Sequence, residues 1–300
     1  MLEVIVSTFL GLCWASALLG VHKRLSGTTL VGPWGWTVAS SIAVVSATVL
    51  SHTISEQSGS LLRYFAAIST CCPMVAILGA KRPQNRAWQW IVGALWIVLA
   101  LPAIIAITFA HPNLQLGGLW TSLLFILIVL PVGNYLSTRY FFPAILAASA
   151  QVFFFVDCGA ISLWGAAAVV TEYSVVSPAT MGQFLALVST LIVGYITPHN
   201  SHLRSRGTQI ADVWYEFSQL YGILWSRHVA DRAERLFEQS GIAIGLGRAG
   251  FYARMNDGEQ QPIPADTLPP EVEATLNHLL LRFVSQNWIK AITSPATQSR

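Results

Sequence analysis

The chain has 300 residues, of which 54% are hydrophobic and 10% charged, where a soluble domain carries about 25% charged. With a mean hydropathy of +0.56, this composition excludes an ordinary soluble enzyme and points to the lipid bilayer as solvent. The net charge is +3; residues 203–300 hold ten basic and ten acidic residues, so the excess lies in the first 202, which hold seven and four. A neutral tail lacks the basic face that a nucleic-acid reader needs, so no nucleic acid is expected as a partner.

Seven apolar stretches are predicted to span: Val4 to Val21, Trp34 to Leu50, Leu61 to Ala80, Ala87 to Ala110, Gly117 to Leu136, Phe141 to Val156 and Gln183 to Ile196. Most have the roughly 17–25 residues that a helix needs to cross about 30 Å of hydrocarbon. Of the first nine basic residues, eight fall in odd-numbered connections or after the last span: Lys23, Arg24, Lys81, Arg82, Arg86, Arg139, Arg204 and Arg206. Basic residues collect in short cytoplasmic loops. The expected topology therefore puts the N-terminus outside and the C-terminus in the cytoplasm, in a plasma or inner membrane. Ala15-Ser16-Ala17 has the look of a signal cleavage site, but only Glu3 is charged before the first apolar run, so a retained span is expected.

Small residues let helices approach closely. Gly11, Ala15 and Gly20 in span one, and Ala144, Ala147, Ala148 and Ala150 in span six, mark these as expected bundle-interior helices. Pro73, Pro102, Pro131 and Pro143 are expected to kink or loosen their helices. Asn134, after Pro131-Val132-Gly133, is a candidate pocket residue, the plainer reading being an interhelical hydrogen bond. Charges at membrane depth are few and lie near the outer boundary: Glu3, Arg63, Asp157 and Glu172. Arg63 departs from the charge rule, and an ion pair with Asp157 or Glu172 would neutralise it. Without a mid-span carboxylate no proton relay is visible.

Residues Cys158 to Val170 form an apolar run too short to span, read as an outer-face segment with Trp164 at the interface. Trp34, Trp36, Trp88, Trp90 and Trp120 sit at span starts, matching an aromatic belt. Cys13, Cys71, Cys72 and Cys158 read mainly as small buried hydrophobes, and no metal site is expected. His22, His52, His111, His199 and His202 lie near the two faces, so bis-histidine haem is conceivable. Their loop positions favour interfacial polar residues, and no cofactor is predicted.

The tail, residues 201–300, reads as helix, small sheet, helix, an α+β domain appended to an all-α polytopic bundle of residues 1–200. From Thr208 to Gln239 an apolar stripe recurs with helical period through Ile210, Val213, Trp214, Phe217, Leu220, Tyr221, Leu224 and Trp225, and Ser240-Gly241 ends it. Trp214, Phe217, Tyr221 and Trp225 form a candidate docking face for a protein partner, or else the core against a second helix from Pro270 to Trp288. Between these helices, Ile242, Ile244 and Leu246 alternate as one strand and Gly250 to Met255 reads as a second. Gly245-Leu246-Gly247-Arg248-Ala249-Gly250 matches G-x-G-x-x-G, yet only five residues follow before the Asn256-Asp257-Gly258 turn, too few for the helix a dinucleotide needs. No catalytic motif is present. The favoured expectation is a non-enzymatic assembly or docking component of a membrane complex. The alternative is a transporter, channel or redox (haem or quinone) subunit with a pocket inside the bundle.

Overall fold

The structure, a computed structural model, describes residues 2–82, 85–109, 114, 116–161, 177–197, 209–248, 250–254, 260–264 and 267–293. The membrane part contains α1 (Leu2–Leu25), α2 (Val31–Ser51), α3 (Glu56–Ser69), α4 (Cys72–Leu78), α5 (Asn85–Thr108), α6 (Gly118–Tyr135), α7 (Phe141–Asp157) and α8 (Pro178–Ile196). Among the described residues six helical stretches are long and apolar enough to cross a membrane, with α3 and α4 together forming one, Glu56–Leu78; α7, at 17 residues, is a shorter apolar helix. The span expected from Leu61 is present, but as two helices with a break at Thr70 and Cys71 rather than one continuous helix. Pro73 lies in the first turn of α4, where its missing N–H costs nothing, and Thr70 and Cys71 close α3 by bonding back to Ala67 and Ile68.

The helices close into a ring in which α7 packs on α8, α8 on α1, α1 on α2, α2 on α3 and α4, and α6 on α7. A Cβ at Gly11 would run into Val45, so that glycine lets α1 and α2 touch. Expecting α1 in the bundle interior nonetheless overstates what small residues do: Ile5, Phe9, Leu12 and Leu19 are all exposed, so α1 is a wall helix with one face outward. Trp90, Ile97, Ile104, Phe125 and Leu191 are likewise exposed on α5, α6 and α8. Such apolar surface is unfavourable in water and ordinary in hydrocarbon, where every spanning backbone group must be bonded internally.

The tail contains α9 (Gln209–Gln239), β1 (Ile244–Gly247), β2 (Gly250–Arg254), β3 (Gln260–Pro262), α10 (Pro270–Leu280) and α11 (Gln286–Thr293). The three strands form an antiparallel sheet in the order β1-β2-β3. The expectation of two strands missed β3, whose Gln-Gln-Pro sequence carries no apolar alternation. The glycine-rich match is a hairpin, with Gly247 opposite Gly250. Gly245 has no side chain because the ring of Tyr252, its cross-strand partner, lies where a Cβ would be.

Two further expectations for the tail need correction. The helix predicted from Pro270 to Trp288 is two helices, α10 and α11. The turn between them carries Phe283 and Val284 into a pairing with the α1–α2 connection: Thr29 N–H donates to Phe283 O at 2.9 Å and Ser285 N–H to Gly27 O at 2.7 Å. The predicted continuous helix to Gln239 is broken at Gly222, where φ is +74° and ψ −170°, a region open in practice only to glycine. The tail core takes in Leu30, Ile77, Ala80 and Tyr140 from the membrane part. Bundle and tail share that core.

Candidate functional site

Arg63 sits in α3 and Asp157 at the end of α7, at the bundle end opposite the tail. Arg63 Nε lies 3.2 Å from Asp157 Oδ2. Nε makes no well-aligned hydrogen bond, so the contact is an ion pair by distance. The Asp157 carboxylate also accepts from the Ala179 backbone at 3.3 Å, joining the end of α7 to the start of α8. The other proposed partner, Glu172, lies outside the described residues, as do Trp164, His111, His199, His202, Arg204 and Arg206. Nearby, a polar chain that the hydropathy pattern hid crosses α1, α8 and α2: Ser7 Oγ donates to Gln183 Oε1 at 2.8 Å and Gln183 Nε2 to Thr48 Oγ1 at 3.4 Å.

At the tail end, Asn134 is buried and is not among the residues lining the cavity; it bonds across to the tail helix, as the plainer reading has it. Its Nδ2 donates to Tyr221 O at 3.3 Å, and its Oδ1 accepts from Leu224 N–H at 3.0 Å. The break at Gly222 frees backbone groups on both sides, and one amide satisfies a carbonyl before it and an N–H after it. Tyr135 OH, one residue on, donates to Leu220 O at 3.1 Å. Arg139, legible in the sequence as a topology charge, grips the tail: Nη1 and Nη2 reach the two Glu216 oxygens at 3.0 and 2.5 Å, and its backbone N–H donates to Gln219 Oε1 at 2.8 Å. Glu216 is 2% exposed, so this two-pronged contact supplies the partner that a buried carboxylate requires.

The candidate docking face is not a free surface. Trp214, Phe217 and Tyr221 are each at most 1% exposed, and Trp225 is half-buried. Phe217 stacks on Tyr221 at 4.6 Å and meets Phe283 edge-on at 5.3 Å. Trp225 Nε1 donates to Ile77 O in α4 at 2.8 Å. Tyr221 OH donates to Phe283 O at 3.0 Å and accepts from Thr29 N–H at 3.3 Å. Burial pushes the Tyr221 hydroxyl from its ordinary value near 10 up to about 12, with the Thr29 bonds opposing the shift. The stripe is amphipathic because it meets both α10 and the membrane helices, and sequence period alone could not distinguish that from a partner's surface.

Inside the ring lies a cavity of about 280 Å³, with walls from α1, α2, α4, α6, α7 and α8. An engineered protein cavity of roughly 150 Å³ takes up benzene or xenon, so the volume is large enough for a chain-like apolar molecule. Leu220 of the tail lines it together with Tyr135 and Tyr140. Among the described residues that line it none is charged. Its polar groups mostly bond to the protein itself: Ser189 Oγ donates to Pro143 O at 2.9 Å, Trp14 Nε1 to Thr190 Oγ1 at 3.1 Å, Trp34 Nε1 to Leu18 O at 2.8 Å, and Tyr140 OH pairs with Thr197 Oγ1 at 3.0 Å. Ala147 lines the cavity and is exposed, and the cavity is open to the outside rather than fully enclosed.

Cys71, Cys72 and Cys158 are buried, Cys13 is half-buried and all four are free. His22 leans on Trp34 at 4.3 Å. Among the described residues no three or more His, Cys, Asp or Glu side chains converge. Compared with protein-family models, curated proteins and solved structures, the chain matches none.

Proposed function

We propose that this is an integral membrane protein that binds a chain-like apolar molecule inside its helix bundle, with the tail closing one end of the binding site. The observation that carries this reading is the 280 Å³ cavity, uncharged and lined by six membrane helices together with Leu220 of the tail. An uncharged, mostly apolar wall of that extent gains dispersion contacts from an apolar occupant. Such an occupant would come from the surrounding bilayer through the exposed position at Ala147. The assembly or docking role expected from the sequence loses its main support, because its aromatic face is internal.

The proposed topology counts α7 as a seventh span, with the N-terminus outside and the tail in the cytoplasm. Its support is that the helix ends and connections bearing Lys23 and Arg24, Lys81 and Arg82, and Arg139 are on the side that meets the tail, through Thr29, Arg82 and Arg139, as the positive-inside rule asks. A reporter active only in the cytoplasm is expected to work when fused after Arg300 and to stay silent after Gly117. A silent C-terminal fusion contradicts the topology.

The binding role is tested by extracting and weighing what copurifies. Protein isolated in mild detergent is expected to carry a stoichiometric apolar molecule detectable by mass spectrometry. Ala148→Phe, which places a ring in the cavity, should lose most of it while keeping the fold. Equal retention by both proteins, or no apolar molecule in either, counts against the reading.

A further inference from the structure

Gln151 differs from the other polar groups on the cavity wall. It stands on α7, is 7% exposed and lines the cavity. Its Nε2 donates to the Thr70 carbonyl, at the break between α3 and α4, at 2.7 Å. A backbone carbonyl is acceptor-only, so the NH₂ side of the amide must face Thr70 and the oxygen must face away from it. Among the described residues nothing donates to that oxygen. The hydroxyl groups nearby are differently placed: those of Ser40, Ser189 and Thr190 already donate to backbone carbonyls. The amide oxygen therefore faces the cavity without a donor from the described residues, and an acceptor held on the wall of a ligand-sized apolar cavity gains from a ligand that brings a donor.

We propose that Gln151 is a specificity-determining residue whose amide oxygen accepts a hydrogen bond from the hydroxyl of a neutral, chain-like apolar alcohol held in the cavity. This rests on the binding role proposed above and narrows it to ligands carrying one hydrogen-bond donor at an end or branch of an apolar chain. Charge is disfavoured, since among the described residues the wall offers no counter-ion and an unpaired ion in an apolar site is very unfavourable. A plain hydrocarbon fits the walls but leaves the oxygen unbonded, and a ligand with a donor satisfies it. Sites built around one buried polar group discriminate strongly against analogues that lack its partner.

The test uses the full chain in nanodiscs and three photoactivatable probes built on the same twelve-carbon chain: dodecanol, its methyl ether and dodecane, each bearing a diazirine. Crosslinked peptides from α1, α7 and α8 are quantified at limiting probe. Wild-type protein is expected to be labelled by the alcohol roughly five- to tenfold more efficiently than by the ether or the alkane, the range one buried hydrogen bond supplies. Gln151→Leu should erase that preference while retaining alkane labelling, which also reports that the cavity is intact. If wild type labels equally with all three probes, the Gln151 assignment is overturned and the binding role stands. If no probe labels cavity residues, the binding role itself fails. Because the ether comparison is made in wild-type protein, a poorly folding Gln151→Leu does not remove the test.

Discussion

Gly222→Ala is expected to lower the stability of the tail by about 3 kcal/mol or more. The native backbone at Gly222 has φ +74° and ψ −170°, and a residue with a side chain pays of order 1–3 kcal/mol to adopt such a conformation. A methyl group there would also press on the Asn134 side chain and lie 2.7 Å from the Asn134 carbonyl oxygen. Relief is possible only by moving α9 off α6, and that breaks the two Asn134 bonds to Tyr221 O and Leu224 N–H. Thermal unfolding in detergent, with amide exchange read at residues 209–239, is the measurement. Ala at 222 with native stability and native protection would show that the break is incidental.

Phe217→Ala is expected to cost about 3–5 kcal/mol, the range for deleting a buried aromatic ring. The side chain is fully buried and touches Trp214, Tyr221 and Phe283, so truncation leaves a hole bounded by three rings. The docking reading gives a different result. On an exposed face the same change would leave stability within about 0.5 kcal/mol and reduce partner capture instead. Chemical denaturation of the full chain distinguishes the two, and an unchanged midpoint refutes the core assignment.

Legibility in the sequence followed the range of each interaction. Hydropathy located the membrane helices because a span is a property of its own contiguous residues. The stripe from Ile210 to Trp225 was equally plain, but not what covers it. Asn134 and Tyr221 are far apart in sequence, and so are Thr29 and Phe283, and no local pattern announces such pairs. Gly222 was hidden for a related reason: one glycine in a helical pattern is usually tolerated, and its positive φ is imposed by α6. Arg139 obeyed the charge rule and so drew no attention as the partner of Glu216. Arg63 broke the rule, and that made its pairing with a carboxylate legible. The cavity could not be read at all, since its wall combines residues scattered over six membrane helices with one residue of the tail. β3 was missed because its register is set by β2, through Ala253 opposite Gln261 and Arg254 opposite Gln260.

The central claim is that the tail forms part of the wall of a ligand site inside the membrane bundle, and Leu220→Trp tests it most directly. Leu220 belongs to the tail yet lines the cavity beside Tyr135 and Tyr140, so a larger side chain there extends into the space an apolar ligand would fill. With the bound molecule weighed after purification, the variant is predicted to remain folded and to carry at most about a tenth of the wild-type ligand, the loss expected when overpacking costs more than roughly 1.4 kcal/mol of binding. Wild-type ligand content in a folded Leu220→Trp protein would contradict the claim.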